Sequence, residues 1–182
     1  MFILWLEFLI LLPFKIKFGK EPNQNSTVLV QEKKINGYKI LSHDKKTELY
    51  HITGKTATTR GKYRFRRVAD KDNVGLGSVV RGQIDNEYTF LGTLDEKIAE
   101  VKITQNGITL TVSKDKYHCI PDNRSQTFEF HDANKKLVLT IDKKILSLSD
   151  VYRITGVENF PYLIAQMMGV VIDDFYHEKF SL

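Results

Sequence analysis

The densest concentration of chemistry in the sequence is the run Arg60-Gly61-Lys62-Tyr63-Arg64-Phe65-Arg66-Arg67. In an extended strand alternate side chains share a face, so Lys62, Arg64 and Arg66 form a stripe of cations about 6 to 7 Å apart while Tyr63 and Phe65 point into a core. That spacing meets neighbouring phosphates, whether on lipid headgroups or on a nucleic acid. Near an anionic leaflet each such cation contributes about 1 kcal/mol. Arg60, Lys62, Arg64, Arg66 and Arg67 are therefore the candidate ligand-binding set, for anionic phospholipid headgroups. Two other readings stay open. One is a nucleic-acid face, which needs Tyr63 and Phe65 exposed so that bases can stack on them. The other is a merely solvated sheet face whose charges discourage edge pairing.

Other reactive residue types are poorly placed for catalysis. Asp173 and His177 lie four apart on one face of a helical segment, yet two ligands are too few for a metal site. Asp173, Asp174 and His177 read instead as the point where a helix emerges into water, with His177 suited to the negative helix end. His118 and Cys119 are adjacent in a strand and face opposite ways, so the imidazole cannot activate the thiol. Gly75-Leu76-Gly77 lacks the rest of a dinucleotide or phosphate-loop pattern and reads as a loop. With no nucleophile beside a base and no paired carboxylates in a familiar arrangement, the expectation is a binding module, not an enzyme, without cofactor or metal.

These residues sit in a chain of 182, a length that suits one domain, with 42% hydrophobic and 27% charged residues and a single cysteine. Disorder and a disulfide framework are excluded on that composition. The formal charge of +5 is unevenly placed: residues 15–67 hold fourteen Lys and Arg against four Asp and Glu, while residues 68–182 hold thirteen against seventeen. Such asymmetry bears on anionic partners more than on fold.

Met1 to Phe14 (MFILWLEFLILLPF) is the most apolar stretch, followed by Lys15, Lys17 and Lys20. Its roughly 13 apolar residues are short for a bilayer-spanning helix, which needs about 20. The charges follow the apolar run, whereas a secretory signal carries them in front. A buried first element and a membrane-interface anchor both fit, the second with lysines among headgroups. Residues 1–19 are thus set apart from a domain spanning 20–182, and the expected location is cytoplasmic, peripheral to the membrane or anchored to it through residues 1–14. Oligomeric state is left open.

Beyond Lys20 the pattern is period two almost throughout. It predicts strands at Thr27–Val30, Tyr38–Ser42, Glu48–Thr53, Lys62–Val68, Ser78–Ile84, Tyr88–Leu91, Ile98–Thr104, Ile108–Ser113, Lys116–Ile120, Thr127–Phe130, Leu137–Ile141 and Val151–Thr155. Asn36-Gly37 and Asn106-Gly107 suggest tight hairpins with positive φ at both residues. The segments from Ile40, Phe90 and Phe128 repeat one theme of strand, Asp-led turn and strand, in which the carboxylate bonds backbone N–H groups just ahead. Many short strands with tight turns argue for an antiparallel sandwich or barrel. The exception is Phe160–Tyr176. Asn159 can cap it, Pro161 suits its first turn, and from Leu163 to Ile172 only Gln166 is strongly polar. A helix apolar on every side, with an apolar part only about 15 Å long, fits the inside of a closed sheet better than a bilayer.

The run Leu137-Val138-Leu139-Thr140-Ile141-Asp142-Lys143-Lys144, then Ser147-Leu148-Ser149-Asp150-Val151-Tyr152-Arg153-Ile154, then the helix closing on Val170-Val171-Ile172-Asp173-Asp174-Phe175-Tyr176-His177, resembles the C-terminal end of the tubby-like group. That group joins tubby C-terminal domains, LURF-one-related proteins and phospholipid scramblases. Tyr38 to Lys55 is similar to their early strand, Asp turn and strand. The resemblance implies a mainly β fold, a closed antiparallel β-barrel of about twelve strands around a buried C-terminal hydrophobic helix at about 160–177. It implies no catalytic residue. Tubby domains bind phosphoinositide headgroups through basic residues, but no motif here matches those positions. The acidic calcium-binding stretch of scramblases has no counterpart in Gly156-Val157-Glu158-Asn159.

Overall fold

The computed structural model describes residues 26–32, 37–55, 61–69, 75–84, 86–122, 124, 126–144 and 150–176. The alternating segments form β1 (Ser26–Glu32), β2 (Gly37–Ser42), β3 (Glu48–Lys55), β4 (Lys62–Arg67), β5 (Gly75–Arg81), β6 (Glu87–Leu91), β7 (Lys97–Thr104), β8 (Gly107–Val112), β9 (Asp115–Cys119), β10 (Thr127–His131), β11 (Leu137–Lys143) and β12 (Val151–Gly156), followed by α1 (Tyr162–Tyr176). Each strand pairs antiparallel with the next, and β1 pairs with β12 to close a twelve-stranded barrel. Of the sandwich and the barrel, the chain adopts the barrel. Closure pairs every strand on both sides, so the charges of β4 are not there to guard an edge.

The helix lies inside. Met167, Met168, Val170, Val171 and Ile172 have no exposed surface, and burial of each such side chain is worth about 1.5–3 kcal/mol. Gln166, the one strongly polar residue of the run, is buried too and accepts a hydrogen bond from Thr27 Oγ1 at 3.0 Å. Gly169 gives the helix its closest approach to the wall, since a Cβ there would lie 2.6 Å from Ile154 and 3.1 Å from Leu29. The helix begins later than its sequence suggests: Ala165 N–H donates to Pro161 O, so Pro161 stands at the cap position and Asn159 precedes it by two residues.

Three hairpins share one geometry. β2–β3, β6–β7 and β10–β11 each shift register at the end of the first strand, after Ile40, Phe90 and Phe130. Each turn then carries a non-glycine residue at positive φ: Lys45 (60°), Asp95 (60°) and Lys135 (61°). Because these hairpins recur every fourth strand, the barrel has an internal threefold repeat. The repeated feature is this backbone geometry, not the Asp. Asp44 and Asp132 accept backbone N–H groups as expected, whereas in the second turn Glu96 does so, reaching back beside Gly92 to accept from Leu94 N–H at 2.9 Å.

Three local expectations are corrected. Gly75-Leu76-Gly77 is the start of β5 and not a loop, so this strand lies three residues earlier than Ser78–Ile84. Glycines have no side chain to alternate, which hid the strand from a pattern of apolar and polar residues. In the Asn106-Gly107 turn only Gly107 has positive φ, and the pairing of Thr104 with Gly107 makes Gln105 and Asn106 the central residues, so Asn106-Gly107 is not the central pair. Asp173 and Asp174 do not emerge into water; both are buried, 1% and 3% exposed. Met1–Phe14, Asn36, Arg60, Ser147–Ser149 and His177 lie outside the described residues.

Candidate functional site

Strand alternation in β4 has the expected consequence: Tyr63 and Phe65 are buried in the core, and Lys62, Arg64 and Arg66 project outward. These three cations line an open groove of about 230 Å³, together with Gly75, Gly77 and Ser78 of β5 and Gly92, Thr93 and Asp95 of the β6–β7 turn. The groove exists because β5 is built from small residues there, while the turn folds back as a rim. Lys62 Nζ lies 3.7 Å from Asp95 Oδ1, so one cation is partly offset within the groove. At its floor is Ser78, 3% exposed, whose Oγ has no hydrogen-bond partner among the described residues. A buried hydroxyl costs about 1–3 kcal/mol when it is left unpaired. Beside the rim, Leu94 is 89% exposed at the tip of the turn.

Of the five residues selected from sequence, the structure brings Lys62, Arg64 and Arg66 together. Arg67 stands opposite Tyr50 in register and so belongs to the inward-facing row at the end of the barrel, not to the stripe. Arg60 lies outside the described residues. Burial of Tyr63 and Phe65 leaves neither ring available for the stacking that nucleic-acid recognition by this strand requires.

A second constellation was not legible in the sequence. The two carboxylates at the helix end are held by four tyrosines of the barrel wall. Tyr38 OH donates to Asp173 Oδ2 at 2.8 Å and Tyr152 OH to Asp173 Oδ1 at 2.6 Å. Tyr63 OH donates to Asp174 Oδ1 at 2.5 Å and Tyr88 OH to Asp174 Oδ2 at 2.7 Å. Arg81 Nη1 stands 3.7 Å from Asp174 Oδ2. Burial raises the Asp173 carboxyl above its ordinary range, and the two phenol hydrogen bonds pull the other way. Burial first, then the charge of Asp173, raises the Tyr38 and Tyr152 phenols, which therefore remain donors.

The threefold repeat explains this arrangement. Register places Arg64 opposite Ser78, which is opposite Leu91; it also places Arg153 opposite Val28, which is opposite Leu41. Leu41 and Leu91 occupy the same place in the repeated hairpins, so β12–β1–β2 corresponds to β4–β5–β6. Tyr152 then matches Tyr63, and Tyr38 matches Tyr88. One equivalent pair of tyrosines holds Asp173 and the other holds Asp174. In the remaining third the matching positions are Ile108 and Phe128, and there the helix presents Tyr176, its ring 5.1 Å from that of Phe128. With both carboxylates buried and each already accepting two phenols, this is a lock on the helix end and not an acid–base pair open to substrate. A detectable signal was the repeated Tyr-Arg pair, Tyr63-Arg64 and Tyr152-Arg153, in strands of identical burial pattern.

Cys119 faces the core, where burial pushes its thiol up to about 12. His118 lies on the outer face, its Nδ1 3.2 Å from Thr109 Oγ1, as alternation requires. No helix among the described residues is long and apolar enough to cross a membrane.

No family model matches this sequence, and no curated protein matches it. Among solved structures, the X-ray structure of a protein from Arabidopsis thaliana is similar with a TM-score of 0.56 at 12% identity, covering 82% of this chain and 90% of that chain. At that identity the likeness establishes the barrel architecture and carries no function with it.

Proposed function

We propose that this chain is a non-enzymatic, tubby-like barrel that binds the anionic headgroups of a membrane surface through the groove between β4, β5 and the β6–β7 turn. The observation that carries the reading is the composition of that groove. Three outward cations of one strand stand over Ser78, a buried hydroxyl with no protein partner among the described residues. A phosphate oxygen supplies both a counter-charge and an acceptor for that hydroxyl. The adjoining Leu94 supports a membrane over a dissolved anion, because an aliphatic side chain 89% exposed beside a basic groove gains burial only from an apolar phase.

Sedimentation with vesicles of phosphatidylcholine alone, and of phosphatidylcholine mixed with phosphatidylserine, tests the proposal. Binding is expected only to the mixed vesicles and to weaken with salt. Removing one cation near the surface costs about 1 kcal/mol, or about fivefold in affinity, and Arg64→Glu costs more than Arg64→Ala. Leu94→Gln, which removes the apolar side chain without adding charge, weakens vesicle binding and leaves binding of soluble inositol trisphosphate unchanged. Equal binding to both vesicle types, unaltered by Arg64→Glu, refutes the assignment.

A further inference from the structure

The same register that relates the tyrosine pairs relates two places on the outer wall. In the first groove Arg64 of β4 lies beside Ser78 of β5, under the turn that carries Asp95. One third of the way round the barrel, Arg153 of β12 lies beside Val28 of β1, and the matching turn carries Lys45. A groove of about 300 Å³ opens there too, lined by Val28, Lys45, Asp142, Lys143, Lys144, Val151 and Arg153. Lys143 is already committed, its Nζ 2.8 Å from Asp150 Oδ1. Lys45, Lys144 and Arg153 then face the one carboxylate of Asp142, three cations to one anion. The first groove is likewise lined by more cations than anions, with Lys62, Arg64 and Arg66 beside Asp95. At the third equivalent place the positions of Arg64 and Ser78 are taken by Thr109 and His118, which contact one another.

We propose that the groove between β11, β12 and the β2–β3 turn is a second anion-binding site, for a phosphate group of the same chemical class as the first groove would take. The inference rests on the reading of the first groove in one respect only, that a basic groove under this turn binds phosphate. Charge and construction are shared; the floor is not. Ser78 offers a hydroxyl in the first groove and Val28 offers none in the second, so the second site binds by charge and shape with one directed hydrogen bond fewer. It is therefore the weaker site and the more salt-sensitive one. Lys45 stands on the rim where the first groove has Asp95, and the anion of the second groove is Asp142 of β11 instead.

The test is titration of the full ¹⁵N-labelled chain with inositol 1,4,5-trisphosphate, following backbone amides by NMR. Two sets of resonances are expected to shift with separate dissociation constants, one around Arg64, Ser78 and Thr93 and a weaker one around Val28, Asp142 and Arg153. Arg153→Glu abolishes the second set and leaves the first within twofold; Arg64→Glu does the reverse. Lys144→Glu repeats the Arg153 result at an independent position. If only the Ser78 set shifts, or if Arg153→Glu leaves the Val28 set unchanged, the second site is overturned while the first groove stands. If only the Val28 set shifts, the first groove fails and the second site stands. If neither set shifts, both fail.

Discussion

Truncation of Asp173 to alanine measures what the carboxylate–tyrosine lock contributes. Asp173 accepts the phenols of Tyr38 and Tyr152 inside the barrel, at 2.8 and 2.6 Å. The substitution leaves both O–H groups buried without that acceptor, at about 1–3 kcal/mol each. Part of this is offset because the fold no longer has to bury a carboxylate. A net loss of about 2–4 kcal/mol is expected from those terms, a large fraction of the 5–15 kcal/mol typical of a domain. At this chain length it lowers the melting temperature by about 5–15 °C. Urea denaturation followed by far-UV circular dichroism gives the free energy directly. The triple variant Asp173→Ala/Tyr38→Phe/Tyr152→Phe removes the stranded donors as well and is expected to recover at least half of the loss. A single variant within about 0.5 kcal/mol of the wild type, or a triple variant no more stable than Asp173→Ala, refutes the lock. A pH series tests the same group. Because burial raises the Asp173 carboxyl above its ordinary 3.8, the folded state holds its proton over a pH range in which the unfolded chain has lost it. Its contribution to stability therefore falls as pH rises from about 3.8 through the raised value. Asp173→Asn, which cannot titrate, removes that part of the slope, and an unchanged pH profile contradicts the assignment.

Two further outcomes follow from the backbone and the core. Gly77 has φ of +154°, and a Cβ there would lie 2.4 Å from Leu91 O and 2.9 Å from the Met167 side chain, whereas one at Gly75 meets nothing within 4 Å. Gly77→Ala is expected to cost about 1–3 kcal/mol or more in urea denaturation and Gly75→Ala less than about 0.5, and equal effects refute the close approach of strand and helix. Cys119, buried and with its thiol pushed up to about 12, is expected to resist a thiol-specific disulfide reagent at neutral pH in the folded protein and to react fully in denaturant; fast native labelling contradicts its burial.

Alternation was enough to locate all twelve strands, eleven of them to within two residues at either end. β5 was displaced because two of its first three residues are glycines. The outward stripe of Lys62, Arg64 and Arg66 was legible for the same reason as the strands, since period two assigns each side chain to a face. The groove was not, because its opposite wall comes from Ser78 and from a turn about thirty residues away that barrel stagger carries over the strand. The carboxylate lock was hidden for another reason. Tyr38, Tyr63, Tyr88 and Tyr152 look like ordinary core aromatics, and two aspartates at the end of a helix look like its exit to water.

The sequence alone therefore determined what depends on local period and on near neighbours: the strands, the helix apolar on every side, the face that carries the cations and the inert setting of Cys119. Closure of the sheet decided the rest. Only once β1 pairs with β12 does the wall surround the helix, and only then do residues 135 and 86 positions apart meet as Tyr38–Asp173 and Tyr88–Asp174. Hydrogen bonds and electrostatic forces act over a few ångströms of space, and no pattern confined to neighbours along the chain contains distances of that kind.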